Sequence, residues 1–153
     1  MTVTVTGINY STGAPYSANA AGDGVGDDTS VLQTALNTCG LINLPAGTFR
    51  ITSTLSIPVL TGSGIVGAGS GSTTIKADFT NGTAVRIGTL SASSSDHSTI
   101  RGFKITRVGT ASTDSYGLDV SRGSVLGSES ADHVFVGNRT YPGSSGARNH
   151  REK

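Results

Sequence analysis

The side chains of this sequence best suited to chemistry are carboxylates, and three of them cluster near the N-terminus. Asp23, Asp27 and Asp28 lie in the segment Gly-Asp-Gly-Val-Gly-Asp-Asp-Thr. A calcium loop of the EF-hand type needs a bidentate Glu at its twelfth position, and the twelfth residue counted from Asp23 is Thr34. Asp residues in such segments often cap a helix or form a turn. The cluster therefore predicts a turn followed by a helix, and no metal site.

Seven more carboxylates follow residue 76, and a glycosidase would need two of them about 5–9.5 Å apart. They are Asp78, Asp96, Asp114, Asp119, Glu129, Asp132 and Glu152. Only Asp119 lies in a clear strand pattern, Leu-Asp-Val, where it should point outward. Asp132 and His133 precede the next apolar segment, so Asp119 and Asp132 could approach each other in a repeating fold. The preferred interpretation is that these carboxylates are solvated.

The basic, imidazole and thiol groups form no recognisable site. Four basic residues are expected on outer strand faces, where charge opposes aggregation. They are Arg101, Lys104, Arg107 and Arg122. His97 and His133 lack zinc-ligand spacing, the glycine-rich residues 67–71 precede no helix, and Cys39 is expected to be a small buried residue. The sequence thus predicts no catalytic, cofactor-binding or metal-binding residue, and no cofactor.

The composition limits what kind of fold can position these groups. Gly, Ser and Thr make up 64 of 153 residues, whereas charged residues are 14% and the net charge is +1. This excludes a coiled coil and a charged disordered chain. It also gives no reason to expect nucleic acid as a partner, and no apolar segment is long enough to span a membrane. No secretory signal is visible, so we expect synthesis in the cytoplasm.

Short alternating segments predict a mostly β fold with one helix. Residues 2–8 alternate as a half-buried strand, residues 9–22 resemble an arm or linker, and a helix of about ten residues should end at Gly40. Many strands of three to five residues follow, separated by small turn residues. Such a pattern fits a sandwich, a barrel or a solenoid. Four apolar residues roughly twenty positions apart favour the solenoid. They are Ile65, Ile87, Ile105 and Val125.

Three segments together resemble the start of the pectate-lyase-like right-handed β-helix family, whose opening also occurs in phage tailspikes. They are residues 22–36, Leu-Pro-Ala-Gly-Thr-Phe at 44–49, and residues 64–75 with Gly-Ile-Val-Gly-Ala-Gly. The resemblance implies a short single-stranded right-handed parallel β-helix whose N-terminal end is capped by the helix. We expect an extended arm at residues 1–20, the cap and first coils at 21–138, and a basic tail or the start of a further region at 139–153.

Three functions are compatible with this resemblance. The favoured one is a structural virion component, a tailspike- or tail-fibre-like homotrimer located in the virion tail. Its N-terminal arm would bind other tail proteins, and it would contribute to recognition of host surface polysaccharide. The alternatives are a polysaccharide depolymerase, either a hydrolase or a calcium-dependent lyase, and a carbohydrate-binding module. Enzymes with this opening are usually several times longer, so catalysis is not the preferred prediction.

Overall fold

A computed structural model describes residues 2–58, 60, 62–87, 98–108, 117–121, 134–136 and 147–150 of the chain. Within these residues the protein is mostly β, with three sheets and one helix. The strands are β1 Val3–Ile8, β2 Pro15–Ala20, β3 Asp23–Asp27, β4 Leu41–Leu44, β5 Gly47–Ile51, β6 Leu55–Ile57, β7 Gly64–Gly67, β8 Thr73–Ala77, β9 Val85–Ile87, β10 Thr99–Arg101, β11 Phe103–Arg107, β12 Leu118–Ser121, β13 Val134–Val136 and β14 Ala147–His150. The helix α1 is Thr29–Cys39.

From β4 to β12 the chain returns to the same sheet at every third strand. The first sheet has the order β10-β7-β4-β1-β2, the second β13-β11-β8-β5-β3, and the third β14-β12-β9-β6. All pairs among β4 to β14 are parallel and join strands of successive rounds. We call each group of three consecutive strands, such as β4–β5–β6, a layer. Three complete layers are described, and β13 and β14 belong to a fourth.

The core lies between the three sheets and is made of aliphatic side chains stacked in register. In the first sheet the stack is Ile42, Ile65 and Ile100. The second sheet stacks Phe49, Ile75 and Ile105, and the third Leu55, Val85 and Leu118. All nine side chains are buried. Alternate residues of each strand face outward, as the period of two requires.

The helix covers the apolar interior at the first layer. Leu32, Ala35, Leu36 and Cys39 are its buried residues, and α1 packs against β1, β2, β4 and β6. Gly40 ends the helix at φ 74°, a left-handed conformation that glycine adopts without strain, and its N–H donates to Leu36 O. The predicted helix, its apolar face and its end at Gly40 are therefore confirmed.

The interpretation of residues 9–22 as an arm or linker is wrong for residues 15–20. Those residues form β2, which pairs antiparallel with β1 along its whole length, while β1 in turn pairs with β4. Val5 and Ala20 are buried in the core. In β2 the more buried residues Tyr16, Ala18 and Ala20 alternate with exposed ones, but alanine is too small to give a clear apolar signal in the sequence. The N-terminal residues are thus part of the first sheet and do not extend away from it.

The predicted twenty-residue period is also wrong. Ile65, Ile87 and Ile105 belong to the first, third and second sheets respectively, and Val125 lies outside the described residues. Equivalent positions are 23 residues apart from Ile42 to Ile65 and 35 apart from Ile65 to Ile100. The spacing varies because the connections between strands differ in length. Similarly, β14 in the predicted tail pairs with β12, so residues 147–150 are a strand.

Candidate functional site

The three N-terminal aspartates tie neighbouring segments together, each through its own set of partners. Asp23 Oδ1 accepts the N–H groups of Val25 and Gly26 at 2.8 and 2.9 Å. These two bonds hold the pKa of the exposed Asp23 carboxyl below its ordinary value, and the bond from Val25 has the larger effect. The predicted turn at this position is therefore present.

Asp27 joins the start of the helix to the end of β5. Its Oδ1 accepts the hydroxyl of Thr29 at 2.6 Å and the N–H of Thr29 at 3.0 Å. Its Oδ2 accepts the hydroxyl of Thr52 at 2.8 Å. The pKa of Asp27 is lowered, chiefly by the Thr29 hydroxyl and then by the Thr29 N–H. Asp27 is thus the aspartate whose side chain bonds Thr29, the first residue of the helix.

Asp28 is buried and binds the segment that leads into β3. Its two carboxylate oxygens accept the N–H groups of Ala21 and Gly22 at 2.6 and 3.0 Å. It occupies the N-cap position but makes no side-chain bond to the helix. Within the described residues, no group of three or more His, Cys, Asp and Glu side chains could hold a metal ion. The cluster is a structural junction between β2, β3, the helix and β5.

Asp119, the predicted strand carboxylate, is buried rather than solvated. It lies in register with Arg86 on one side and with Arg148 on the other, on the outward face of the third sheet. Its Oδ2 is 3.8 Å from Arg86 Nε, and its exposed side-chain fraction is 1%. The expectation of a solvated carboxylate is wrong here because a charged neighbour and burial replace water. Asp132 and His133, its suggested partners, lie outside the described residues.

Arg107 is also buried, although its strand position predicted an outer, solvated side chain. Its guanidinium donates to Phe79 O at 2.5 Å and to Gly82 O at 2.7 Å, and it lies 4.7 Å above the Phe79 ring centroid. It therefore holds the connection between β8 and β9. No local sequence signal separates such an arginine from a surface one. Arg122 and His97 lie outside the described residues.

The outward face of the second sheet carries most of the remaining positive charge. We define the basic face as Thr48, Arg50, Thr74, Lys76, Lys104 and Thr106, which follow one another across β5, β8 and β11. Arg50 pairs with Asp78 at 2.7 Å, and Lys76 donates to Gly24 O at 2.9 Å. By contrast, Lys104 and the exposed Arg101 have no ion pair or hydrogen bond to another described residue.

The free cations lie on the third layer, beside a row of hydroxyl groups. Lys104 is in register with Thr74, and Thr74 with Thr48. Position 135, a phenylalanine, is the register neighbour of Lys104 on β13. Cations and hydroxyls of this kind can bind carboxylate or sulfate groups and sugar hydroxyls through charge-assisted hydrogen bonds. This part of the basic face, together with Arg101, is the candidate binding site.

Comparison with known proteins identifies one family. The model of the family described as "Rhamnogalacturonase A/epimerase, pectate lyase-like" matches residues 16–110, which is 95 of the 153 residues. No curated protein and no solved structure matches the chain. The matched range begins in β2 and includes the aspartate junction, the helix and the basic face. Among the described residues, no helix has the length and apolar character needed to cross a membrane.

Proposed function

The chain belongs to the rhamnogalacturonase A/epimerase, pectate lyase-like family, and from that premise we propose that it forms the capped first part of a single-stranded right-handed parallel β-helix. The return of the chain to each sheet at every third strand from β4 to β12 supports this architecture. So does the helix that covers the core at the first layer, because the end of a repeat array needs a cover. An experimental structure in which successive layers wind left-handed, or do not enclose one core, would contradict it.

We propose that the protein recognises an acidic polysaccharide without cleaving it. The observation that carries this proposal is the contrast between free cations and occupied carboxylates among the described residues. Arg101 and Lys104 are unpaired, whereas every described carboxylate has a partner. A glycosidase needs two carboxyl groups available to the substrate. A sugar polymer that carries carboxylates would instead be bound by the two cations.

The test is binding of a soluble polyuronate, with dextran of similar length as the neutral comparison. We expect the Arg101→Gln/Lys104→Gln variant to lose at least ten-fold in affinity for the polyuronate, and added salt to weaken binding by the parent protein. The Lys153→Gln variant removes one charge from the last residue and should bind as the parent does. Equal loss in both variants, or equal binding of dextran, would contradict the proposal.

We further propose that this recognition takes place in a virion, in a tailspike- or tail-fibre-like homotrimer attached to the tail through its N-terminal region. The tailspike-like order of the three sequence segments supports this setting. Because residues 3–20 are part of the first sheet, the attachment surface would be the outward face of the β1–β2 hairpin, formed by exposed side chains such as Thr4 and Thr6, rather than a free arm. Light scattering checks the assembly, since a monomer at micromolar concentration would rule out the trimer.

Depolymerisation is the second candidate function, and the description of the matching family, which names a rhamnogalacturonase, favours it. Its test is the chain length of pectic and capsular polysaccharides after incubation, with and without calcium. If the polysaccharide chains are shortened, the function is catalysis, and the proposal of binding without cleavage is wrong. Unchanged chains, together with polyuronate binding, would support the first proposal.

A further inference from the structure

The three sheets end differently at the first layer. In the third sheet, the outer side of β6 is occupied by Gln33 of the helix, whose amide nitrogen donates to Ser56 O and whose amide oxygen accepts the N–H of Ser56, both at 2.9 Å. In the second sheet the last strand is β3. Its pairing with β5 is irregular, because β3 advances four residues, from Asp23 to Asp27, while β5 advances two. In the first sheet the last strand is β2, and no other described strand pairs with its outer side.

The backbone groups that β2 leaves free can be assigned from the hairpin. Asn9 N–H donates to Ala14 O at 2.8 Å, which makes Asn9 and Ala14 a hydrogen-bonded pair. Hydrogen-bonded and non-hydrogen-bonded pairs alternate along an antiparallel ladder. With the observed register, Tyr16, Ala18 and Ala20 therefore bond to β1. The N–H and C=O groups of Ser17 and Asn19 point away from β1, toward the outer side of β2.

Nothing in the composition of this strand protects it from pairing. Natural edge strands are usually protected by lysines, prolines, bulges or short length. β2 has six residues, its register with β1 is regular, and residues 2–22 contain no charged side chain. Pro15 removes one donor at the start of the strand, but Ser17 and Asn19 keep theirs. The outward side chains of Ser17 and Asn19 are small, polar and exposed.

We propose that the outer side of β2 pairs antiparallel with β2 of a second copy of this chain, so that the two first sheets become continuous. Such pairing is self-complementary about a two-fold axis. The absence of charge from both copies means that it brings no like charges together. The pairing goes beyond the proposed function and does not depend on it: it doubles the assembling unit, whether that unit is a monomer or the proposed trimer.

The test compares the mass in solution of the parent protein with that of two β2 variants, by light scattering over micromolar concentrations. Ser17→Pro removes a free N–H and spares the bonds to β1, so the hairpin should persist. Asn19→Lys places a charge on the edge. We expect either variant to halve the mass. Thr4→Lys is the matched control, because Thr4 lies opposite Asn19 on the inner strand of the hairpin, and it should leave the mass unchanged.

Hydrogen exchange supplies a second measurement that does not depend on the variants. In the paired assembly the amides of Ser17 and Asn19 should exchange slowly, as the amide of Ala18 should because it bonds to β1. A parent protein that stays at 15.4 kDa with fast exchange at Ser17 and Asn19 would overturn the proposal. An odd-numbered assembly whose mass neither β2 variant changes would also overturn it, while leaving the proposed trimer intact.

Discussion

Asp28 is a charged residue in a buried position, and its role is to accept two backbone N–H groups. Replacing it with Asn keeps the shape but turns one acceptor into a donor that faces an N–H. We expect Asp28→Asn to lower the free energy of unfolding by about 1–3 kcal/mol, because a buried donor loses its partner. Urea denaturation followed by circular dichroism measures this. Asp23→Asn, at an exposed turn, should cost clearly less, and an equal loss in the two variants would contradict the argument.

Asp23 and Asp27 predict that stability falls in acid. Their pKa values are lower in the folded protein than in the unfolded chain, where the pKa of an Asp is about 3.9. The stabilisation is therefore complete above the unfolded pKa and is lost as the pH falls through the folded values. Unfolding by urea at pH 6 and at pH 3 should show this loss. The Asp23→Asn/Asp27→Asn variant should have a smaller difference between the two pH values, and an unchanged difference would be evidence against the effect.

Arg107 should be sensitive even to conservative replacement. Lysine cannot donate to both Phe79 O and Gly82 O in the planar geometry of a guanidinium. We expect Arg107→Lys to destabilise the protein by about 1–3 kcal/mol. Arg101→Lys, at an exposed position, should stay within about 0.5 kcal/mol of the parent protein. Thermal or urea unfolding of both variants makes the comparison, and equal stability of the two would refute the role of Arg107.

These residues also show what single positions reveal in a sequence. The turn at Asp23 and the start of the helix after Asp27 and Asp28 could be predicted, because the local partners of Asp23 and Asp27 are two or three residues away. Burial of Asp119 and Arg107 could not be predicted. Arg86 and Asp119 are 33 positions apart, and Arg107 contacts a connection about 25 residues earlier. Residues so far apart in the sequence can be recognised as spatial neighbours only when the lengths of the connections between strands are known.

At the level of elements, Gln33 is the contact that closes the third sheet. Gln33→Ala should leave the N–H and C=O of Ser56 without their partners and lower the free energy of unfolding by about 1 kcal/mol. The amide of Ser56 should also exchange faster with solvent. Thr34→Ala, at an exposed position of the same helix, is the control and should not affect Ser56. Unchanged exchange at Ser56 in Gln33→Ala would show that the helix does not protect this edge.

The elements themselves were largely predictable, whereas their arrangement was only partly so. The helix and most strands follow from alternation, apolar spacing and Gly40. β2 was not predicted, because alanine carries a weak apolar signal at Ala18 and Ala20. The use of a glutamine side chain to complete a sheet edge has no sequence signature. Gln33 lies on a helix whose pattern only predicts which face is apolar.

At the scale of the whole molecule, the N-terminal hairpin belongs to the same folding unit as the layers. Deleting residues 2–20 would remove Val5 and Ala20 from the core and expose the outer side of β4. We therefore expect the truncated protein to lose its cooperative thermal transition and to aggregate. Circular dichroism and light scattering make the measurement, with Thr4→Lys as a full-length comparison. A soluble truncated protein with an unchanged melting temperature would show that the hairpin is only an appendage.

The irregular spacing of the layers explains why the overall repeat could not be inferred correctly. Equivalent residues lie 23 to 35 positions apart, so no single period describes the chain. The core positions still superpose, because differences in length are confined to the connections. The family resemblance predicted that a capping helix precedes the parallel strands. The spacing of apolar residues alone could not predict this order.

The covered first layer has a consequence for how the chain acquires its fold during translation. The hairpin, the helix and β4 to β6 leave the ribosome before any later layer. The strands of the second layer, β7 to β9, therefore emerge after the first-layer strands with which they pair. Each new layer can therefore add to a finished surface instead of waiting for distant C-terminal residues. A ribosome that stalls after a layer would hold a nascent chain that is already folded up to that point.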